Sequence, residues 1–343
     1  GWAAACFLRS TRARQTGPME DQKLIHRIAL SMLKGIGAVN ARSLVAYCGG
    51  VDPIFTDPKV KRSLEKVPGI GPKLIASITD KKVLPAAEKE LAFARKHGVR
   101  LLFYLDQAYP KRLKQAEDAP VLLFVKGPAD LDAARMVSIV GTRTPTEHGR
   151  RLCAELVEGL VDTGAAIVSG LAYGIDIMAH RTALKQGMPT VGCVAHGLHT
   201  VFPSEHRRDA ERMAESGALV TEFPTGMNAM AGNFPARNRV IAGLSDCTVV
   251  VESGPKGGSL ITADIANSYD REVFALPGRP TDPRSEGCNR LIQQNKAMLI
   301  TSAKDVVTLM EWLPKKRKAP VQAALFPDLL PDEQSLVDII KAK

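Results

Sequence analysis

The chain has 343 residues, with 46 Lys and Arg against 36 Asp and Glu, for a formal net charge of +10. That length points to more than one domain, and the positive balance favours polyanionic partners, nucleic acid first. The six cysteines (6, 48, 153, 193, 247, 288) form no CxxC pair, which speaks for reduced thiols in a cytoplasmic protein and against a zinc site or disulfide framework. No apolar run reaches the ~20 residues that cross a bilayer, so no membrane partner is expected.

Residues 1–18 are Arg-rich and acid-free, and read as a disordered basic tail or a start artefact. Residues 19–84 read as a small helical domain. Leu24, Ile25, Ile28, Ala29 and Met32 have helical spacing and lead into Lys34-Gly35-Ile36-Gly37 and a second helix through Ala41, Leu44 and Val45. The pattern recurs at Val67-Pro68-Gly69-Ile70-Gly71-Pro72-Lys73, before Leu74, Ile75 and Ile78. In each copy glycine permits a tight turn and close approach to the N–H groups that open the second helix. Such tandem turns resemble helix-hairpin-helix motifs, which grip nucleic-acid backbones; packing alone also accounts for them.

Residues 85–312 read as an α/β domain. A helix at Pro85–His97 precedes a strand at Val99–Leu105 and a strand and turn over Pro120–Gly127, which look like an extra pair at the edge of a main sheet. From Met136 strand and helix alternate, as in a parallel sheet covered on both faces. Strands are predicted at Val137–Val140, Ala166–Val168, Thr190–Ala195, Ala218–Thr221, Thr248–Val251, Glu272–Ala275 and Met298–Ile300. Helices are predicted near Glu147–Thr163, Gly174–Gln186, Glu205–Ser216, Ala236–Leu244, Leu260–Tyr269, Asn289–Gln294 and Ala303–Trp312. Residues 313–343 read as a linker and one truncated C-terminal helix.

In such sheets ligands lie outside the carboxyl ends of the strands. Gly141-Thr142-Arg143 follows the first strand of the alternation, where Arg143 offers a bidentate fork for phosphate. Ser169 and Gly170 follow the second. Arg237-Asn238-Arg239 forms a short cationic turn before an apolar helix. The Thr248–Val251 strand empties into a Gly-rich loop with Lys256, Gly257, Gly258 and Ser259 that opens another helix, a geometry in which bare amides face an anion. Arg279 follows the sixth strand. Tyr173 and Phe234 are stacking candidates, although Phe234 reads first as a buried aromatic. Asp176 and His180, four apart at a helix start, read as a pair bracing the loop. His196, His199 and His206 lack metal-site spacing, so neither metal nor cofactor is expected. Convergent cations without a base or nucleophile argue for binding before catalysis.

The segments GTR (141–143), SGLAYGIDIMAH (169–180), FPARNRVIAGLS (234–245), SGPKGGSLITA (253–263) and VFALPG (273–278), with YPKRL and PVLLFVKG upstream, resemble the DprA/Smf family (DNA-processing protein A) over roughly residues 20–312. The resemblance implies an extended Rossmann-like domain behind a sterile-alpha-motif-like helical domain. It also implies binding of single-stranded DNA, protection of incoming strands and loading of a RecA-type recombinase in natural transformation, by a homodimer without catalytic activity. Arg143 matches the family's pocket cation in G-[ST]-R, and Arg237, Asn238 and Arg239 match its R-N-R. Where the family has Asp, Tyr and Asn, this chain has His199, Phe202 and His206, and Tyr173 replaces a frequent basic residue. The alternative is a nucleotide-binding sensor or a LOG-like nucleoside-monophosphate phosphoribohydrolase on a related fold. The LOG motif P-G-G-x-G-T-x-x-E carries a Glu that works on the sugar; residues 257–264 here lack the second Gly-Thr pair and end in Asp.

Overall fold

The computed structural model describes residues 17–66 and 69–312. The basic tail up to residue 16, the linker and last helix expected at 313–343, and Val67 and Pro68 of the second glycine turn lie outside the described residues.

The described residues open with five α-helices: α1 (Pro18–Met32), α2 (Ala38–Cys48), α3 (Asp52–Thr56), α4 (Pro58–Ser63) and α5 (Pro72–Thr79). Pro18 stands in the first turn of α1, where a missing N–H costs nothing, and Glu20 and Asp21 complement the helix dipole. Helix α6 (Val83–Lys96) then packs along α1, and its Ala87, Leu91 and Ala94 share one apolar cluster with Ile28, Leu44, Ile54 and Leu74. The same cluster takes in Phe103, Leu122 and Phe124 from the first two strands, so helices and sheet edge share a core.

The sheet holds nine strands among the described residues: β1 (Arg100–Phe103), β2 (Leu122–Lys126), β3 (Met136–Val140), β4 (Ala166–Ser169), β5 (Thr190–Cys193), β6 (Ala218–Thr221), β7 (Cys247–Val250), β8 (Glu272–Ala275) and β9 (Met298–Leu299). Their order is β1-β2-β6-β5-β4-β3-β7-β8-β9. Strands β3 to β9 are parallel, while β1 and β2 form an antiparallel pair joined to the edge at β6. This is the parallel sheet expected from the alternating pattern, in the extended Rossmann-like form that the family resemblance implies. From β3 the chain lays β4, β5 and β6 to one side, then returns to lay β7 on the other. The carboxyl ends of β3 and β7 therefore mark the switch point, where loops diverge and leave a crevice.

Among the described residues eight α-helices connect and cover the strands: α7 (Lys111–Lys114), α8 (Glu147–Gly159), α9 (Ile175–Lys185), α10 (Arg207–Ser216), α11 (Asn233–Leu244), α12 (Gly258–Ser268), α13 (Glu286–Gln293) and α14 (Ala303–Leu309). Period-two alternation sends Met136 and Val140 of β3 into the cluster beneath α11, α12 and α13, and Val137 and Ile139 into the cluster beneath α8, α9 and α14. Both faces are buried, which is why these strands read as unbroken apolar runs.

One local expectation is corrected. Arg237-Asn238-Arg239 is not a turn: α11 begins at Asn233 and all three residues lie inside it. Pro235 sits in the first turn, where proline does not interrupt a helix.

Candidate nucleic-acid interface

A cavity of about 440 Å³ opens at the switch point. Its walls come from four segments: Gly141, Thr142 and Arg143 after β3; Ala172 and Asp176 around the start of α9; Phe234, Arg237 and Asn238 of α11; and Gly257, Gly258 and Ser259 at the start of α12. Glycine is required where these segments meet. A Cβ on Gly141 would lie 2.5 Å from Ile175 Cγ1, and Gly174, at φ +81°, lies so close to the Thr142 carbonyl that any side chain would clash. Helix α12 follows the N-cap Gly257 without a side-chain cap; Leu260 N–H bonds back to the Gly257 carbonyl at 3.1 Å, and Gly257, Gly258 and Ser259 at this helix start line the cavity. The positive end of α12 thus opposes Arg143 across the crevice, and both favour an anion.

Arg143 is exposed and forms no ion pair among the described residues; its guanidinium carbon lies 5.4 Å from the Phe234 ring centroid. Phe234 is half-buried rather than part of the core, with Arg237 on it at 5.6 Å. Its ring therefore lies near two guanidinium groups and presents its remaining surface to the cavity.

Known proteins resemble this chain in sequence and fold. A family model described as DNA recombination-mediator protein A matches residues 100–311. The chain is 34% identical over 300 residues to protein Smf of Synechocystis, covering 86% of this chain and 75% of that one. The X-ray structure of DNA processing protein A from Streptococcus pneumoniae aligns at TM-score 0.69 and 31% identity, over 85% of this chain and 98% of the other. The structure of DNA processing protein A from Helicobacter pylori, described by its single-stranded DNA binding mode, aligns at TM-score 0.57 and 29% identity over 63% and 97% of the two chains. This chain belongs to the DNA recombination-mediator protein A family. The family match begins at the first strand of the sheet, so it contains every residue of the crevice.

Within this family member the arginines expected to act together have different tasks. Arg237 is buried, only 6% exposed. Its guanidinium donates to the carbonyls of Gly170 and Cys193 (2.9 Å for the latter), which lie at the carboxyl ends of β4 and β5, and to Asn238 Oδ1 at 3.0 Å. Burial lowers its affinity for the proton, and the neighbouring Asp176 carboxylate opposes that. Arg237 therefore builds the crevice floor, tying two strand ends to α11. Arg239 lies two residues on, about 200° around the helix, and cannot share that direction. It pairs with Glu222 and lines a separate small cleft beside Gly37 and Ala38 of the helical region. Lys256 is exposed on the glycine loop but outside the cavity wall, and Arg279 lies in a neighbouring groove.

Ser169 is fully buried and donates to the Ile139 carbonyl at 2.6 Å, so it joins β3 to β4 and is not a ligand group. Gly170 donates its N–H to Asp176 at 3.1 Å and leaves no room for a side chain between Asp176 and Arg237. Burial raises the Asp176 carboxyl above its usual range, with Arg237 pulling the other way. Asp176 thus braces the loop, but not through His180. His180 is fully buried with Nδ1 2.7 Å from Thr190 Oγ1. Because that hydroxyl already donates to the Ile167 carbonyl at 3.1 Å, it accepts from His180 Nδ1–H, leaving Nε2 without a hydrogen-bond partner among the described residues. Burial pushes the imidazole down to about 3. His196 and His206 are likewise structural: His196 takes Nδ1 to the Gly197 carbonyl and accepts from Phe202 N–H, and His206 Nδ1 meets the Leu171 carbonyl, whereas His199 is exposed.

Glu252 is a site residue that motif reading passes over. Its carbonyl accepts Thr142 N–H at 2.7 Å, and its buried carboxylate accepts Thr146 N–H at 3.0 Å and Thr146 Oγ1–H at 2.6 Å. Both ends of the 142–146 loop are therefore anchored to the end of β7. An acidic residue directly after a buried strand, ahead of a glycine loop, was the available signal.

Proposed function

We propose that this chain binds single-stranded DNA as a recombination mediator without chemistry of its own, and that the crevice holds the sugar-phosphate backbone. The observation that carries the reading is Arg143: an exposed cation with no ion pair among the described residues, facing the uncapped start of α12 across a glycine-walled cavity. The Helicobacter pylori relative, whose structure is described by its binding of single-stranded DNA, supports the choice of ligand. Asp176 is the only carboxylate on the cavity wall among the described residues, and its engagement with Gly170 supports binding over acid–base catalysis. Protection of incoming strands and delivery to a RecA-type recombinase during natural transformation, by a cytoplasmic homodimer, complete the proposal. The described residues contain no helix long and apolar enough to cross a membrane.

Titration of labelled oligo-dT at several salt concentrations tests it. Affinity falls with salt at a log–log slope of about −0.7 per phosphate contacted. Arg143→Ala weakens binding by roughly 10- to 100-fold, the equivalent of one or two charge-assisted hydrogen bonds, with an unchanged thermal midpoint. Wild-type affinity in Arg143→Ala, or hydrolysis of a nucleoside monophosphate by a protein that ignores oligo-dT, overturns the reading.

A further inference from the structure

We propose that the DNA strand does not end in the crevice but crosses the 141–146 loop into a second groove, where Arg279 and Arg151 hold its next phosphates. The inference rests on the crevice being a DNA site, as proposed above.

The groove is the larger of the two, about 770 Å³, and lies beyond the carboxyl ends of β7 and β8 on the α8 side of the sheet. The two hollows share one wall. Gly141, Thr142 and Arg143 face the crevice, Thr146 faces the groove, and Glu252 anchors the loop between them at both ends. A cation sits on top of this wall: Arg284 donates to the carbonyl of Thr144, the residue after Arg143, at 3.0 Å. Arg279 begins the same short turn, whose Asp282 N–H bonds to the Arg279 carbonyl at 3.0 Å, and it lines the groove. The Arg279 side chain is exposed and makes no hydrogen bond or ion pair among the described residues. Arg151 lines the opposite side from α8; among the described residues its guanidinium meets His148 Nδ1 at 3.1 Å and Glu155 at 3.6 Å, both exposed neighbours on its own helix, and such surface contacts hold a side chain weakly. Guanidinium groups thus stand in the crevice (Arg143), on the shared wall (Arg284) and in the groove (Arg279 and Arg151).

The acidic residues explain why a passing chain suits this groove better than a small anion sunk into it. Glu252 lies buried on the floor with both oxygens on Thr146, against the start of α8, so that helix end is already supplied with a negative charge. Asp282 accepts from the Arg284 N–H at 2.9 Å and from Ser285 Oγ at 3.4 Å. An anion at the floor meets Glu252, whereas one at the rim meets Arg279 and Arg151. A rim held by two forks is what an extended polyanion uses, one phosphate per cation.

The test compares the shortest oligo-dT that binds with one several nucleotides longer, using the full chain and the Arg151→Ala/Arg279→Ala double variant. The double variant binds the short oligomer as the parent does. It binds the long one roughly tenfold more weakly, with a log–log salt slope shallower by about 0.7 for each phosphate that is no longer held. Arg279→Lys in the parent retains most of the long-oligomer affinity because the charge remains. Unchanged affinity and slope for the long oligomer in the double variant, while Arg143→Ala weakens both lengths, removes the second groove and leaves the crevice standing. If Arg143→Ala weakens neither length, the crevice reading itself has failed.

Discussion

The crevice and the helical region use the same local device to different ends. Each presents a helix whose first residue is preceded by a glycine cap without a side-chain bond: Gly257 before α12, Gly37 before α2 and Gly71 before α5. Motif reading treats all three as phosphate-ready. What separates them is convergence. Around α12 two further segments supply Arg143, Phe234 and the Arg237 floor. Around the helical turns the contacts are to each other's scaffold: Lys34 N–H bonds Ser77 Oγ of α5 at 2.8 Å, and Asn40 of α2 sits against Gly69. A glycine turn becomes a ligand site when other elements bring charge to it, and otherwise serves packing.

The largest effect that tests this contrast belongs to the crevice floor. Arg237→Ala leaves Asp176 buried without its cation and deprives the carbonyls of Gly170 and Cys193 of a donor. Breaking a buried charged network of this kind costs about 3–5 kcal/mol, so thermal or urea unfolding records a large loss of stability along with lost DNA binding. Arg143→Ala loses binding only. Equal thermal midpoints for the two variants would show that Arg237 does not hold the floor and that the division of labour is wrong.

That division was only partly legible in the sequence. The buried strands were readable because both faces of the sheet are covered, and the observed bounds differ from the apolar runs by a residue or two at most ends. Helices α3 and α4 escaped notice because each opens on Asp-Pro or follows one, and proline reads as a breaker although it is at home in a first turn. Asp57 caps α4 through Lys59 N–H, a signal that was present and unused. The crevice loops were readable as glycine and arginine at strand ends. The fate of each arginine was not, because it depends on groups far away in the chain: carbonyls at 170 and 193 for Arg237, a carboxylate at 222 for Arg239. Likewise, helical spacing paired His180 with Asp176, while tertiary packing gave it Thr190.

A glycine pair sharpens the contrast at intermediate size. Gly174 and Gly35 have nearly the same backbone φ, +81° and +78°. A Cβ at Gly35 meets nothing within 4 Å, whereas at Gly174 it runs into the backbone of Thr142 and Arg143. Gly35→Ala therefore carries only the left-handed penalty of about 1 kcal/mol and leaves oligo-dT binding intact. Gly174→Ala adds a clash that displaces the Arg143 loop, so unfolding measurements give a greater loss and affinity falls by roughly tenfold, the equivalent of ~1.4 kcal/mol. Matching losses in the two variants would mean that the Arg143 loop tolerates displacement and that its position is not what binding depends on.

The smallest effect is expected in the helical turns. Lys34 and Lys73 are exposed beside them, and neither lines a hollow shared with an arginine or a second uncapped helix start. Charges at such positions act on a polyanion through the general field, which salt screens over about 10 Å at 0.1 M. The Lys34→Ala/Lys73→Ala double variant should accordingly change oligo-dT affinity by no more than about twofold near physiological salt, somewhat more at low salt where screening weakens. A weakening comparable to that of Arg143→Ala, persisting as salt rises, would mean that the strand touches the turns directly. Convergence of several elements would then be unnecessary for phosphate binding in this fold, because two lysines and a bare helix start would suffice.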